Sequence, residues 1–237
     1  MAVHPELINI EKQADGWVKK YVLTYKLPDG SLHYYHCATR RDLDAYSAEL
    51  EANGIASRTL TTALEQAETS ETSETTRADA VAPGLTAEAA PEPAPDAVSI
   101  VARTPRDTLV MIREFRYPLN SWCIGFPAGL VDPGEDIITC AIRELEEETG
   151  YTAVEGTTPR ALPQVGYSST GLTDETVQIV FVEAERAGDA RLEHSELIEM
   201  FELPIAGIRS FLDTNKLPIG TRAQLILEMY ALEHALA

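Results

Sequence analysis

The sequence predicts an α/β fold, a mixed sheet with helices on its faces, preceded by a small N-terminal β-domain. Three observations carry this. From Asp96 onward, β-rich runs alternate with helical ones in an order that suits a layered sandwich. Ile137, Ile138, Ala141, Ile142 and Leu145 recur at helical spacing along one face. Trp17 to Ala38 holds two β-forming runs around a turn.

In chain order, Trp17 to Ala38 reads as two strands around Pro28-Asp29-Gly30, which is turn chemistry. A hairpin this small is not stable alone and needs a packing partner. Asp42 is a candidate N-cap for a helix with Leu43, Tyr46 and Leu50 on one face and Gly54 as its stop. A weaker helical stretch spans Ser57 to Glu68, and Thr69 to Pro95 reads as a disordered loop, because its Thr, Ser, Glu, Ala and Pro cannot bury enough apolar surface. Ala97 to Ala102 and Thr108 to Phe115 are expected strands, joined by a loop from Arg103 to Asp107, and Trp122 to Phe126 is another. The helix ending at the stop glycine Gly150 follows. Strands are then expected at Thr176 to Ala184 and Glu199 to Leu203, and helices at Pro204 to Leu212 and Thr221 to Leu236.

Composition bounds the function. The 237 residues suffice for one large domain or a domain with an appendage, and the 44% hydrophobic content is that of an ordinary globular chain. A net charge of −19 argues against binding nucleic acid or an anionic membrane through a general basic surface. Cys37, Cys123 and Cys140 lack metal-type spacing and are simplest as reduced thiols. The charged N-terminus has no apolar signal-peptide core, and no run reaches membrane-helix length. A cytoplasmic protein is the expectation.

The stretch with chemistry in it is Gly129 to Tyr151, GLVDPGEDIITCAIRELEEETGY. Glu144, Glu147 and Glu148 fall together along one edge of the apolar helix face, while Glu146 points away. Carboxylates crowded at a helix C-terminus oppose the macrodipole and repel each other. A glutamate run is ordinarily a solvated face, but a divalent cation sharing its oxygen ligands with phosphates would resolve this conflict.

The spacing of Gly129, Glu135, Arg143-Glu144, Glu147-Glu148 and Gly150 resembles the Nudix box, G-x5-E-x7-R-E-U-x-E-E-x-G-U, with Tyr151 as its loosest fit. The flanks are similar to the ADP-sugar (ADP-ribose) pyrophosphatase branch of that family: Arg113-Glu114-Phe115-Arg116-Tyr117-Pro118 and Trp122 to Gly129 before the box, Glu196 to Pro204 after it, and the early β segment. The resemblance implies a Nudix α/β/α sandwich over 96–237, an N-terminal hairpin and dimerisation domain over 1–42, and an insertion over 43–95. Two positions depart from the branch. Gly125 stands where a glutamate is frequent, and Ser169-Thr170-Gly171 lacks the usual proline, so the exact sugar stays open.

By resemblance the activity is Mg²⁺-dependent, or Mn²⁺-dependent, hydrolysis of a nucleoside diphosphate sugar, foremost ADP-ribose to AMP and ribose 5-phosphate. Another such sugar or an NADH-like dinucleotide is the alternative substrate, and a non-catalytic regulator is the alternative class. Glu144, Glu147, Glu148 and the carbonyl of Ala128 are the implied metal ligands, and Glu147, Glu148 and Glu196 the catalytic residues, with Glu193 as a second choice for the water. Trp17, Tyr35, Arg40, Arg116 and Leu130 are the implied substrate contacts. Ordinary hairpin packing is the competing account for Trp17 and Tyr35, and a solvated loop for Glu196 and His194. Glu135 and Arg143 are expected to brace the loop and helix. A homodimer through the N-terminal domain is also implied.

Overall fold

The computed structural model describes residues 6–53, 94–192 and 196–236. The chain divides into two units, one comprising Met1–Pro93 with Tyr167–Glu175, the other Ala94–Gly166 with Thr176–Ala237. The expected helix at Ser57 to Glu68, all but the last two residues of the expected loop at Thr69 to Pro95, and Glu193 and His194 lie outside the described residues.

The first unit is built on an antiparallel sheet of three strands, not two: β1 (Glu6–Ala14), β2 (Lys19–Lys26) and β3 (Leu32–Thr39), in that order. The hairpin expected from the sequence is β2 and β3. β1 escapes a period-two reading because the register slips between Leu7 and Asn9. This bulge lets Leu7 and Ile10, three residues apart, pack into the same core. That core joins Tyr21, Leu23 and Cys37 of the sheet to Tyr46 and Leu50 of α1 (residues 43–53). Asp42 caps α1 as expected, its Oδ1 accepting from the N–H of Ala45 at 2.9 Å. The returning segment Tyr167–Glu175 closes the unit: the N–H of Ala38 donates to Leu172, Thr39 and Arg41 reach Asp174, and Arg40 pairs with Glu175.

The second unit is the α/β/α sandwich. Its sheet centres on β4 (Ala97–Arg103), β5 (Thr108–Arg116), β11 (Thr176–Arg186) and β12 (Ile198–Pro204), ordered β11-β4-β5-β12. The pair β11/β4 is parallel and β5/β12 antiparallel, so the sheet is mixed. Shorter strands extend it: β6 (Ser121–Gly125) on β5, β7 (Ala128–Leu130) on β4, and β8 (Tyr151–Ala153) and β9 (Arg160–Ala161) on β11. The two-residue strand β10 (Gly166–Tyr167) lies where the chain passes between units. Alternation along β4 makes the two layers. Val98, Ile100 and Ala102 pack against Cys140, Ala141 and Leu145 of α2 (Ile137–Thr149). Val101 faces the other layer, with Ile208 of α3 (Ile208–Thr214) and Ala223, Ile226 and Leu227 of α4 (Thr221–Leu236). The helix expected from Pro204 begins instead as a 3₁₀ turn, Ile205–Gly207, before α3. No helix of the described residues is long and apolar enough to cross a membrane.

Candidate active site

Strand β7 and helix α2 bring the acidic residues to one place, and local chemistry fixes both ends of the helix. Asp136 sits in extended conformation before α2, and its side chain accepts from the N–H groups of Ile138 and Thr139. At the other end Gly150 takes a left-handed φ of 73° and donates to Glu146. A side chain at Gly150 would be strained, and its Cβ would lie 2.3 Å from the carbonyl oxygen of Gly188. Gly129 answers a different need. A Cβ there would stand 1.9 Å from Cδ of Glu144, so the carboxylate lies directly on the glycine backbone.

Arg143 organises the first half of the site. Its Nε and Nη2 reach the two oxygens of Glu135, each at 2.8 Å, while Nη1 bonds Glu144 at 2.7 Å and Glu147 at 3.2 Å. Nη2 also donates to the Leu130 carbonyl at 3.2 Å, tying the helix to β7. The Arg143 hydrogen bond holds the Glu135 carboxyl well below the usual range, at about 2. The bracing expected of this pair is what the structure contains.

The second half is electrostatically opposite. The sequence pattern put Glu144, Glu147 and Glu148 together along one edge of α2, but the helix separates them by depth. Glu147 is 41% exposed, Glu144 12%, and Glu148 is buried at 4%, in line with Ala141 and Leu145. Oε2 of Glu148 accepts from the N–H of Ala128 at 3.0 Å. Burial pushes the Glu148 carboxyl up to about 8, the Ala128 N–H opposing it and the charges of Glu114, Glu144 and Glu196 adding to it. Burial also raises Glu144, against the pull of Arg143, with Glu147 and Glu196 adding. Glu196 therefore lies within electrostatic reach of both buried acids.

These donors suit a hard divalent cation. They are carboxylate oxygens, two of them on the largely buried side chains of Glu144 and Glu148, whose charges oppose each other's ionisation. Among the described residues no three acidic, histidine or cysteine side chains are already gathered as a ligand set, and Glu144 is engaged by Arg143.

The remaining expected contacts are divided between units. Arg116 and Leu130 belong to the second, Trp17, Tyr35 and Arg40 to the first. Trp17 is 73% exposed. The Tyr35 hydroxyl donates to the carbonyl of Gly171, and Arg40 is ion-paired to Glu175. Cys140 is fully buried against Val98 and Leu145 as a packing residue, with its thiol pushed up to about 12 by burial.

Sequence reasoning assigned no role to Glu114. Its carboxyl is raised by burial, with Arg116 opposing and Glu196 adding. The signal that could have found it is its i, i+2 relation to Arg116 at the end of a strand. Tyr151, the loosest fit to the box, has a buried ring whose hydroxyl donates to Glu202 at 2.5 Å. That bond explains an aromatic residue where an aliphatic one is commoner.

A family model described as the NUDIX domain matches residues 93–218. The chain is 35% identical over 113 residues to an ADP-ribose pyrophosphatase of Bacillus subtilis (strain 168), which is 47% of this chain and 59% of that protein. It is 31% identical over 152 residues to an ADP-sugar pyrophosphatase of Mus musculus, 60% of this chain and 66% of that one. The matches thus span 59% and 66% of the lengths of these two relatives. Among solved structures, one titled as an ADP compounds hydrolase superposes with a TM-score of 0.60 at 18% identity, covering 97% of this chain and 92% of its own. At that identity the likeness speaks for the fold.

Proposed function

The chain belongs to the Nudix family, and we propose that it hydrolyses the pyrophosphate bond of a nucleoside diphosphate sugar, with ADP-ribose giving AMP and ribose 5-phosphate as the foremost substrate. The observation that carries this is the buried carboxylate of Glu148, set among the charges of Glu114, Glu144 and Glu196. Relatives named as ADP-ribose and ADP-sugar pyrophosphatases support the substrate class.

In this reading Glu144, Glu147, Glu148 and the Ala128 carbonyl hold divalent ions, Mg²⁺ in the first place and Mn²⁺ as its substitute. When bound, such an ion neutralises charge on the phosphate oxygens and acidifies a coordinated water. The protein's own groups do the positioning. Glu196 orients the attacking water or takes its proton, which Glu193 would do in the second choice. Arg116 meets the diphosphate, because a guanidinium fork matches phosphate oxygens. Glu135 keeps Arg143, and through it Glu144 and Glu147, in register. The water oxygen bonds to one phosphorus, and the bridging oxygen departs with the other phosphate. Trp17, Tyr35, Arg40 and Leu130 are assigned to the remainder of the substrate.

The test is AMP release from a panel of nucleoside diphosphate sugars and NADH with Mg²⁺. Wild type should release AMP, and Glu148→Gln should lose on the order of a thousandfold or more, as expected when metal-borne stabilisation is removed. Equal rates in the two proteins would refute the metal assignment. The accompanying proposal, a cytoplasmic homodimer formed through the N-terminal unit, predicts twice the chain mass in sedimentation equilibrium. A single-chain mass would contradict the dimer.

A further inference from the structure

β5 ends in two opposite charges on one face, since residues i and i+2 of a strand point the same way. Oε2 of Glu114 and Nη2 of Arg116 form an ion pair at 2.7 Å, with the acid 20% exposed and the arginine 52%. The neighbouring strands fix where this pair lies. Glu114 stands opposite Cys123 of β6 and Ile198 of β12. The N–H of Phe115, between the two charges, donates to the carbonyl of Leu197 at 3.0 Å, one residue from Glu196. The pair thus joins the acidic cluster on its inner side to open solvent on its outer side.

An acid in this place is not explained by stability. A surface ion pair is worth little, and Glu114 is largely withdrawn from water beside the like charges of Glu148 and Glu196. A glutamine would fill the same space without repelling them. What the carboxylate does supply is a charged anchor for one guanidinium.

We propose that Glu114 is a positioning residue, which holds one edge of Arg116 so that its remaining N–H groups are presented to the substrate's diphosphate. The inference rests on the pyrophosphatase reading and deepens it. A guanidinium carries five N–H donors in a planar fork, so one edge can stay on a carboxylate while the others meet phosphate oxygens. Without the anchor, Arg116 keeps its charge but spreads over many rotamers, and must be ordered again each time substrate binds. The loss should therefore fall on binding more than on the hydrolytic step.

A double-mutant cycle in the full-length chain tests this, read by kinetics and by the calorimetric affinity for a methylene-bridged ADP-ribose analogue in EDTA. Glu114→Ala should raise KM about tenfold and weaken analogue binding to match, while kcat changes less than about threefold. In an Arg116→Ala background the same change should add less than about twofold. Glu114→Gln keeps the volume and a neutral acceptor, and should fall between wild type and alanine. That variant carries the cycle if the alanine protein is unstable. Additive effects in the cycle would overturn the proposal. So would weakened Mn²⁺ binding with analogue affinity intact, because Glu114 would then belong to the cation site. If wild type released no AMP but the coupled losses of analogue binding persisted, the hydrolysis reading would fail and the positioning role would stand.

Discussion

The segment from Gly129 to Gly150 carries carboxylates with two opposite fates. Glu135 is met at both oxygens by Nε and Nη2 of Arg143 and held at about 2, below the ordinary glutamate range. Glu148 lies on the same helix–loop unit but is buried beside other acids and pushed up to about 8. One carboxylate has its counter-charge inside the protein; the other accepts from the Ala128 N–H and has several like charges around it. On the proposed reading internal pairing makes Glu135 scaffold, and the unbalanced field at Glu148 is where a bound cation would lower the energy.

If that contrast is right, changes on the two sides should separate stability from activity. The largest effect after Glu148→Gln itself is expected from Gly129→Ala. Its added Cβ would collide with the far end of the Glu144 side chain, not with backbone, so the helix survives while the carboxylate is displaced. AMP release should fall about a hundredfold, as misplacement by an ångström can cost, with denaturant-derived stability changing by less than about 1 kcal/mol. Comparable losses of both would mean that Gly129 serves the fold.

Arg143→Ala should show the opposite balance for the scaffold half. Removing the fork frees Glu135 and the Leu130 carbonyl, and urea denaturation at pH 7 should record a loss of roughly 1–2 kcal/mol for these partly exposed pairs. The Glu135 contribution has a definite sign. Because its folded value is depressed, the stabilisation is present above its unfolded value and is lost as pH falls through about 2.

The mirror image is expected on the other half. The folded value of Glu148 is raised, so in EDTA the unfolded chain ionises first as pH rises. Stability should decline from about pH 5 to about pH 8 through this group, by on the order of 4 kcal/mol. Glu148→Gln should flatten that slope, and added Mg²⁺ should offset it in wild type only. A slope unchanged by the substitution would place the titrating group elsewhere.

Much of the second unit is legible in sequence because its signals are local. β4, β5, β11 and β12 are short apolar runs between turn residues, and α2 announces both ends through Asp136 and Gly150. What is not legible depends on partners distant in the chain. β1 is hidden by a bulge at Ile8 that breaks alternation. Glu148 reads as one of three equivalent carboxylates along the edge of the apolar face, since nothing in a glutamate's identity says that it alone is buried. Glu114 gains its meaning from Arg116 beside it and from residue 198 across the sheet, a pairing that no local pattern reveals. The reason for Gly129 appears only when Glu144 is found lying on it.

The most direct measurement of the contrast is Mn²⁺ binding, followed by electron paramagnetic resonance at pH 7 in wild type, Glu135→Gln and Glu148→Gln. Saturable binding should be present in wild type, retained within about tenfold in Glu135→Gln, whose role is bracing, and abolished or weakened at least a hundredfold in Glu148→Gln. Equal Mn²⁺ affinity in wild type and Glu148→Gln would contradict the account.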